Sequence, residues 1–257
     1  MKLMICGKGG SGKSTVTALL AKALEERGKN VLVVDADESN IGLYKMIGTD
    51  LPKPMMDALG GKKGFQARKK AAGTGLGAPP PMFPAGLTLD SLNQNSLLKD
   101  CLAVSGQVQI LSIGKIHHFG EGCACPMGNL FRLFLPALSL GENDLVLVDT
   151  AAGLEHFGRR LDGLCDHVLS VVAPSFESIT LAGRMAELAK EAGLDLSVIL
   201  NQIDEETLPD IETELADLTI LGRIPHVHDL FTSTLKGQPL NISKDKMDPI
   251  CQAIENL

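Results

Sequence analysis

Nine consecutive residues, Gly7-Lys8-Gly9-Gly10-Ser11-Gly12-Lys13-Ser14-Thr15, constrain this chain more than any other feature. They fit G-x-x-x-x-G-K-[ST] and lie between the apolar run Lys2 to Cys6 and a helical pattern from Lys13 to Arg27, where Val16, Leu19, Leu20 and Ala23 recur at helical spacing. The glycines permit positive φ and turn backbone N–H groups inward, where these groups and the helix N-terminus hold phosphate oxygens. In such a loop Lys13 reaches the β- and γ-phosphates and Ser14 binds Mg²⁺. Gly7, Gly9, Gly10, Ser11, Gly12 and Thr15 complete the cradle.

Beyond the loop, short β-branched runs alternate with helical patterns. The spacing predicts strands at Lys2 to Cys6, Asn30 to Asp35, Val108 to Ile113, Asp144 to Asp149, His167 to Ala173, Leu196 to Leu200 and Thr219 to Ile224. Helices are expected near Met127 to Leu140, Ser175 to Ala192 and Glu205 to Leu215. This alternation specifies an α/β fold, a mainly parallel sheet covered by helices on both faces, within one domain spanning 1–257. The stretch 52–90 differs, with Gly60-Gly61, Pro79-Pro80-Pro81 and the basic residues Lys62, Lys63, Arg68, Lys69 and Lys70. It reads as an inserted, solvated surface excursion.

Composition narrows the class. The net charge of −7, with 4% aromatic residues and no Trp, argues against a general polyanion binder or a stacking platform for single strands. No apolar run reaches the roughly 18 to 20 residues of a membrane span, and the apolar start is too short for a signal peptide. A cytoplasmic protein without stable membrane association is expected, its six cysteines thiols or metal ligands.

Two strands end in carboxylates. Val33-Val34-Asp35-Ala36-Asp37-Glu38-Ser39-Asn40 closes the second, and Leu145-Val146-Leu147-Val148-Asp149 runs into Thr150-Ala151-Ala152-Gly153. Carboxylates at the C-terminal ends of strands sit where open α/β sheets place ligands. An apolar strand ending in Asp149 has the Walker-B form, its carboxylate on Mg²⁺ or its water. Asn201-Gln202-Ile203-Asp204 looks like the guanine-reading N-K-x-D with Gln in place of Lys, which leaves ATP against GTP open at this point.

Lys8, just after the first glycine, makes the loop G-K-G-G-x-G-K-S-T. This resembles the deviant Walker A loop of the SIMIBI-type P-loop ATPases, the family of the nitrogenase iron protein, cell-division-site and chromosome-partition ATPases, and metallocluster accessory ATPases. The resemblance implies ATP hydrolysis in a homodimer closed over two nucleotides, with Lys8 reaching the partner's nucleotide. It further implies that Asp37 orients the attacking water, Asp35 lies near the Mg²⁺ shell, the Gly153 N–H senses the γ-phosphate, and Asn201 lies against the base.

Gly120-Glu121-Gly122-Cys123-Ala124-Cys125-Pro126 carries the remaining chemistry. Cysteines at i and i+2 do not readily form a relaxed disulfide, and two thiols on a glycine-flanked segment can face one ion. One chain offers two soft ligands, and a two-fold axis would supply four. His117 and His118 are alternative ligands. Cys6, Cys101, Cys165 and Cys251 read as small buried hydrophobes.

With Ser112-Ile113-Gly114-Lys115-Ile116-His117 and Val148-Asp149-Thr150-Ala151-Ala152-Gly153-Leu154-Glu155, the C-x-C segment is similar to the accessory ATPases that mature carbon monoxide dehydrogenase and acetyl-CoA synthase. That resemblance implies that Cys123 and Cys125 of two protomers hold Ni²⁺ or Zn²⁺ at the dimer interface, for delivery to such a client. Two other readings are an iron–sulfur reductase, with Cys101 paired to Cys123 or Cys125, and a positioning ATPase acting through Lys62 to Lys70.

Overall fold

The computed structural model describes residues 1–71, 82–116, 118, 125–154 and 164–257. Its centre is an eight-stranded sheet in the order β3-β4-β2-β5-β1-β6-β7-β8. The strands are β1 (Lys2–Gly7), β2 (Asn30–Asp35), β3 (Leu102–Ser105), β4 (Val108–Ser112), β5 (Asp144–Asp149), β6 (His167–Val172), β7 (Leu196–Ile203) and β8 (Thr219–Pro225). All neighbours pair in parallel except β3 with β4. The seven strands expected from sequence all form, and β3 is an addition.

Period-two alternation sends each central strand's side chains into two separate cores. Leu3, Ile5, Val31, Val33, Leu145 and Leu147 point to one core, while Met4, Leu32, Val34, Val146 and Val148 point to the other. Both faces are therefore apolar, which is why these strands read as continuous Val, Ile and Leu runs. The first core is closed by α1 (Lys13–Glu26) and by α9 (Lys244–Glu255), which contributes Met247, Ile250, Cys251 and Ile254. The second is closed by α5 (Cys125–Phe134) with Met127, Leu130, Phe131 and Phe134. The remaining helices are α2 (Leu43–Ile47), α3 (Met55–Ala58), α4 (Gly61–Ala71), α6 (Phe176–Glu191), α7 (Leu208–Glu214) and α8 (His228–Lys236).

Two expectations are corrected. The described parts of 52–90 are not a surface excursion, because Met55, Met56, Leu59, Phe65, Phe83, Leu87 and Leu89 are buried in the second core. Only α4 keeps the solvated character, with Phe65 its one buried residue and Lys63, Arg68, Lys69 and Lys70 exposed. The helix expected to Leu140 stops at Phe134 and continues as a 3-10 turn over Leu135–Ala137, where Pro136 removes a backbone donor.

Candidate active site

Parallel pairing brings two carboxylates and the glycine loop to one edge. Asp35 and Asp149 are register partners on β2 and β5, Asp149 also pairs with Ile5 on β1, and the glycine loop leaves β1 two residues later. Two glycines in that loop are required by geometry. Gly7 has φ 145°, and a Cβ there would lie 2.5 Å from the Val171 carbonyl oxygen of β6. Gly12, the residue before α1, has φ 89°, and its Cβ would collide with the side-chain nitrogen of Asn201. Both positions exclude any side chain.

Asn201 is buried at the end of β7 and donates its side-chain N–H to the Ser11 carbonyl at 2.8 Å. It thereby braces the loop from below. Asp204, at the aspartate position of the N-K-x-D likeness, is exposed and accepts from the Thr207 N–H through its backbone carbonyl, ahead of α7. Lys13 is buried at the start of α1, and its ammonium donates to the Lys8 carbonyl at 3.2 Å.

Next to Lys13, the Ser14 hydroxyl donates to Asp149 Oδ2 at 2.6 Å. Thr17 donates to Asp149 Oδ1 at 3.3 Å, and Asn40 donates to both Ser14 Oγ at 2.7 Å and Asp149 Oδ2 at 3.3 Å. Asp149 is fully buried, and burial raises its carboxyl from 3.8 to about 6 against the opposing Ser14 bond and the Lys13 charge. Asp35 is raised to about 7, again mainly by burial, with Lys115 opposing and Asp149 and Asp37 adding to the shift. Lys115 Nζ meets Asp35 Oδ2 at 2.7 Å, while Asp35 Oδ1 is buried without a hydrogen-bond partner. Asp37 Oδ1 accepts from the Ser39 N–H at 2.8 Å and the Ser39 hydroxyl at 2.6 Å, which fixes its carboxylate at the sheet edge.

The sequence expectations therefore separate. Ser14, Lys13, Asp149 and the loop glycines come together, with Asp35 and Asp37 on the adjoining strand end. The Gly153 N–H is engaged by the Gly7 carbonyl at 3.2 Å rather than open to a ligand. Lys8 pairs within its own chain with Glu177 on α6, and both side chains are substantially exposed. Asn40, Thr17 and Lys115 were missed as site residues. Asn40 and Lys115 lie in stretches singled out for their neighbours, and only a fold that pairs distant strands identifies their roles.

Cys123 and His117 lie outside the described residues, and His118 is exposed. Cys125 is exposed at the first position of α5 and is disulfide-bonded, which corrects the expectation that every cysteine is a thiol or a metal ligand. Metal binding there requires prior reduction, since thiolate is the ligand form. Cys6, Cys101, Cys165 and Cys251 are all buried. Burial pushes the Cys101 thiol up to about 11, and its Sγ donates to the Leu97 carbonyl, so it behaves as a core residue. Among the described residues, no helix is long and apolar enough to cross a membrane.

A family model described as the CobQ/CobB/MinD/ParA nucleotide binding domain matches residues 3–240. An uncharacterized ATP-binding protein of Methanocaldococcus jannaschii is 40% identical over 254 residues, 99% of this chain and 99% of that relative. The carbon monoxide dehydrogenase accessory protein CooC of Rhodospirillum rubrum is 30% identical over 230 residues, 88% of this chain and 83% of CooC. Among solved structures, the MinD cell division protein of Aquifex aeolicus shares the fold with a TM-score of 0.65 at 22% identity, covering 100% of this chain and 97% of that one. MinD from Pyrococcus horikoshii, complexed with Mg-ADP, gives 0.62 at 23% identity over 100% and 95%.

Proposed function

The chain belongs to the CobQ/CobB/MinD/ParA nucleotide-binding family of P-loop ATPases, and from that premise we propose that it is a metallochaperone ATPase. It hydrolyses ATP in a homodimer and carries Ni²⁺ or Zn²⁺ on Cys123 and Cys125 toward carbon monoxide dehydrogenase or acetyl-CoA synthase. The observation that carries the ATPase half is the cluster of Ser14, Asp149 and Asn40 at the mouth of the glycine loop. The metal half rests on the C-x-C segment together with the relationship to CooC.

The donor set fits Mg²⁺. Ser14 and Asp149 present hard oxygen donors beside the loop, and Asp35 Oδ1 is a further buried oxygen in need of a partner. Ser14 and Asp149 would hold the ion, with Asp35 nearby. When bound, Mg²⁺ neutralises the charge that accumulates on the β- and γ-oxygens. The backbone N–H groups of Gly9 to Ser14 bind the triphosphate, and Lys13 leaves the Lys8 carbonyl to reach the γ-phosphoryl group.

Asp37 orients a water in line with the γ-phosphorus. The new bond joins that water's oxygen to phosphorus, the bond to the β,γ-bridging oxygen breaks, and ADP and phosphate leave. Lys8 exchanges its exposed Glu177 partner for the nucleotide of the other protomer, so hydrolysis is tied to dimer closure. Such an exposed pair costs little to exchange. Coupling to metal requires that nucleotide bind the open and closed dimers with different affinity.

The test is metal stoichiometry and ATP turnover in reduced protein, for wild type, Cys123→Ser and Cys125→Ser. One metal per dimer is expected in wild type and loss of that metal in both variants. Unchanged binding in both would remove the proposed metal site while leaving the ATPase reading intact.

A further inference from the structure

Asp37 lies two residues past the end of β2, where the strand ladder no longer holds the chain. Ser39 fixes its Oδ1, and its Oδ2 has no hydrogen bond among the described residues. A carboxylate in such a place aims a water only as well as its own backbone is held. We propose that Lys115 is the positioning residue that sets Asp37 for ATP hydrolysis, without itself touching nucleotide or attacking water. The inference rests on the reading of Asp37 as the residue that orients that water.

Lys115 lies three residues past the end of β4 and 78 residues from Asp37 in sequence. Its Nζ donates to the Asp37 carbonyl at 2.6 Å and pairs with Asp35 Oδ2 at 2.7 Å. Among the described residues, that carbonyl accepts from no other donor. The Lys115 and Asp35 side chains are 10% and 8% exposed, so the ammonium makes both contacts away from bulk water, where they are strong. Backbone bonds stand on either side, from the Ile113 N–H to the Asp35 carbonyl at 3.0 Å and from the Ile116 N–H to the Glu38 carbonyl at 3.2 Å. A cation required only to balance Asp35 would leave the Asp37 carbonyl alone.

The backbone that carries Lys115 is itself firmly seated. A Cβ on Gly114 would lie 3.0 Å from Met56 Cβ and 3.1 Å from Met127 Cγ, and the Ile113 carbonyl accepts from the Met56 N–H at 3.0 Å. The segment is therefore close-packed against α3 and α5 and holds the ammonium at a fixed point. Removing the ammonium leaves the Asp37 carbonyl without its donor and the carboxylate free to drift. A displacement of about 1 Å in a group that positions a reactant costs on the order of 100-fold in rate. The glycine loop, Lys13 and Ser14 hold the nucleotide, and Lys115 bonds to none of them. Its loss should therefore lower kcat and leave nucleotide affinity nearly unchanged.

The experiment measures hydrolysis of radiolabelled ATP and fluorescent-nucleotide affinity in the full-length protein with Mg²⁺, so that slow variants are still quantified. Lys115→Met should lower kcat at least about 30-fold while KM and nucleotide affinity stay within about threefold of wild type. Nucleotide-binding stoichiometry gives the folded fraction, so a loss through unfolding alone is corrected out. Should Lys115→Met fail to fold, Asp35→Asn/Lys115→Met removes both charges, and its kcat should remain at least about tenfold below that of Asp35→Asn. Turnover in Lys115→Met within about threefold of wild type, or equal turnover in the double variant and Asp35→Asn, would overturn the positioning role and leave Lys115 as a charge partner. Asp37→Asn, measured alongside, separates the two readings. Wild-type turnover in Asp37→Asn refutes the water-orienting reading itself, whereas an inactive Asp37→Asn beside an active Lys115→Met overturns this inference alone.

Discussion

Replacing Asp149 with asparagine should stabilise the nucleotide-free protein at neutral pH while removing its Mg²⁺-dependent nucleotide binding. The carboxyl is fully buried and raised from 3.8 to about 6, chiefly by burial. A folded-state value above the unfolded one means that ionisation costs stability. The cost is absent near pH 4, grows between pH 4 and 6, and is complete above. A shift of about two units at ~1.4 kcal/mol each gives ~3 kcal/mol.

The amide introduced by Asp149→Asn can keep the local bonds. Its carbonyl oxygen can take the Oδ2 place and accept from Ser14 and Asn40, while its N–H faces Thr17 Oγ1, whose one proton can turn from Asp149 to the Lys13 carbonyl so that the oxygen accepts. Allowing for imperfect fit, the gain is about 1–3 kcal/mol, or roughly 2–12 °C in Tm at this chain length. Melting curves in EDTA at pH 4.5 and pH 7.5 check it. The gain should be seen at the higher pH and shrink toward zero at the lower. A variant less stable than wild type at pH 7.5, or a gain independent of pH, would refute the claim that this carboxylate is held at a cost for the sake of a cation. Function and stability are then opposed at one residue.

Other outcomes are specific. Lys115→Met leaves Asp35 buried without its cation and should cost about 3–5 kcal/mol in denaturant unfolding at pH 8. Adding Asp35→Asn should recover most of that, and equal losses in the single and double variants would deny the ion pair. Gly12→Ala meets both a φ of 89° and the Asn201 amide, so it should cost about 1–3 kcal/mol and abolish nucleotide binding measured by fluorescence titration. Lys8→Ala should bind ATP within about threefold of wild type but lose about 100-fold or more in kcat, as expected for removal of a charge that acts in the transition state. Nucleotide competition should favour ATP over GTP, because Gln202 stands where the guanine-reading motif has Lys and the Asn201 side chain is committed to the Ser11 carbonyl.

What the sequence made legible follows from how each element is held in place. Central parallel strands are buried on both faces, so β1, β2 and β4 to β7 announce themselves as apolar runs, and the loop between β1 and α1 carries its own motif. β3 is a four-residue edge strand with partly exposed side chains, and neither length nor period distinguishes it. α9 contains Pro249, which ordinarily argues against a helix interior, but Met247, Ile250, Cys251 and Ile254 at helical spacing bury against the sheet and outweigh the lost donor. α4 was hidden for the opposite reason. With one buried residue in eleven it has no apolar stripe, and its lysines and glycines read as loop.

Asp149, Lys13 and Ser14 were legible because chemistry fixes their places in the motif. Lys115 was not, since its partners are set by the register that places Asp35 opposite Ser112 on the neighbouring strand. A lone lysine after Ile113-Gly114 carries no signal of a contact made 78 residues away. The residues that bind the phosphates are local to one loop and visible in one stretch of sequence. Those that hold Asp35 and Asp37 at the strand end are dispersed, and only the folded sheet brings them together.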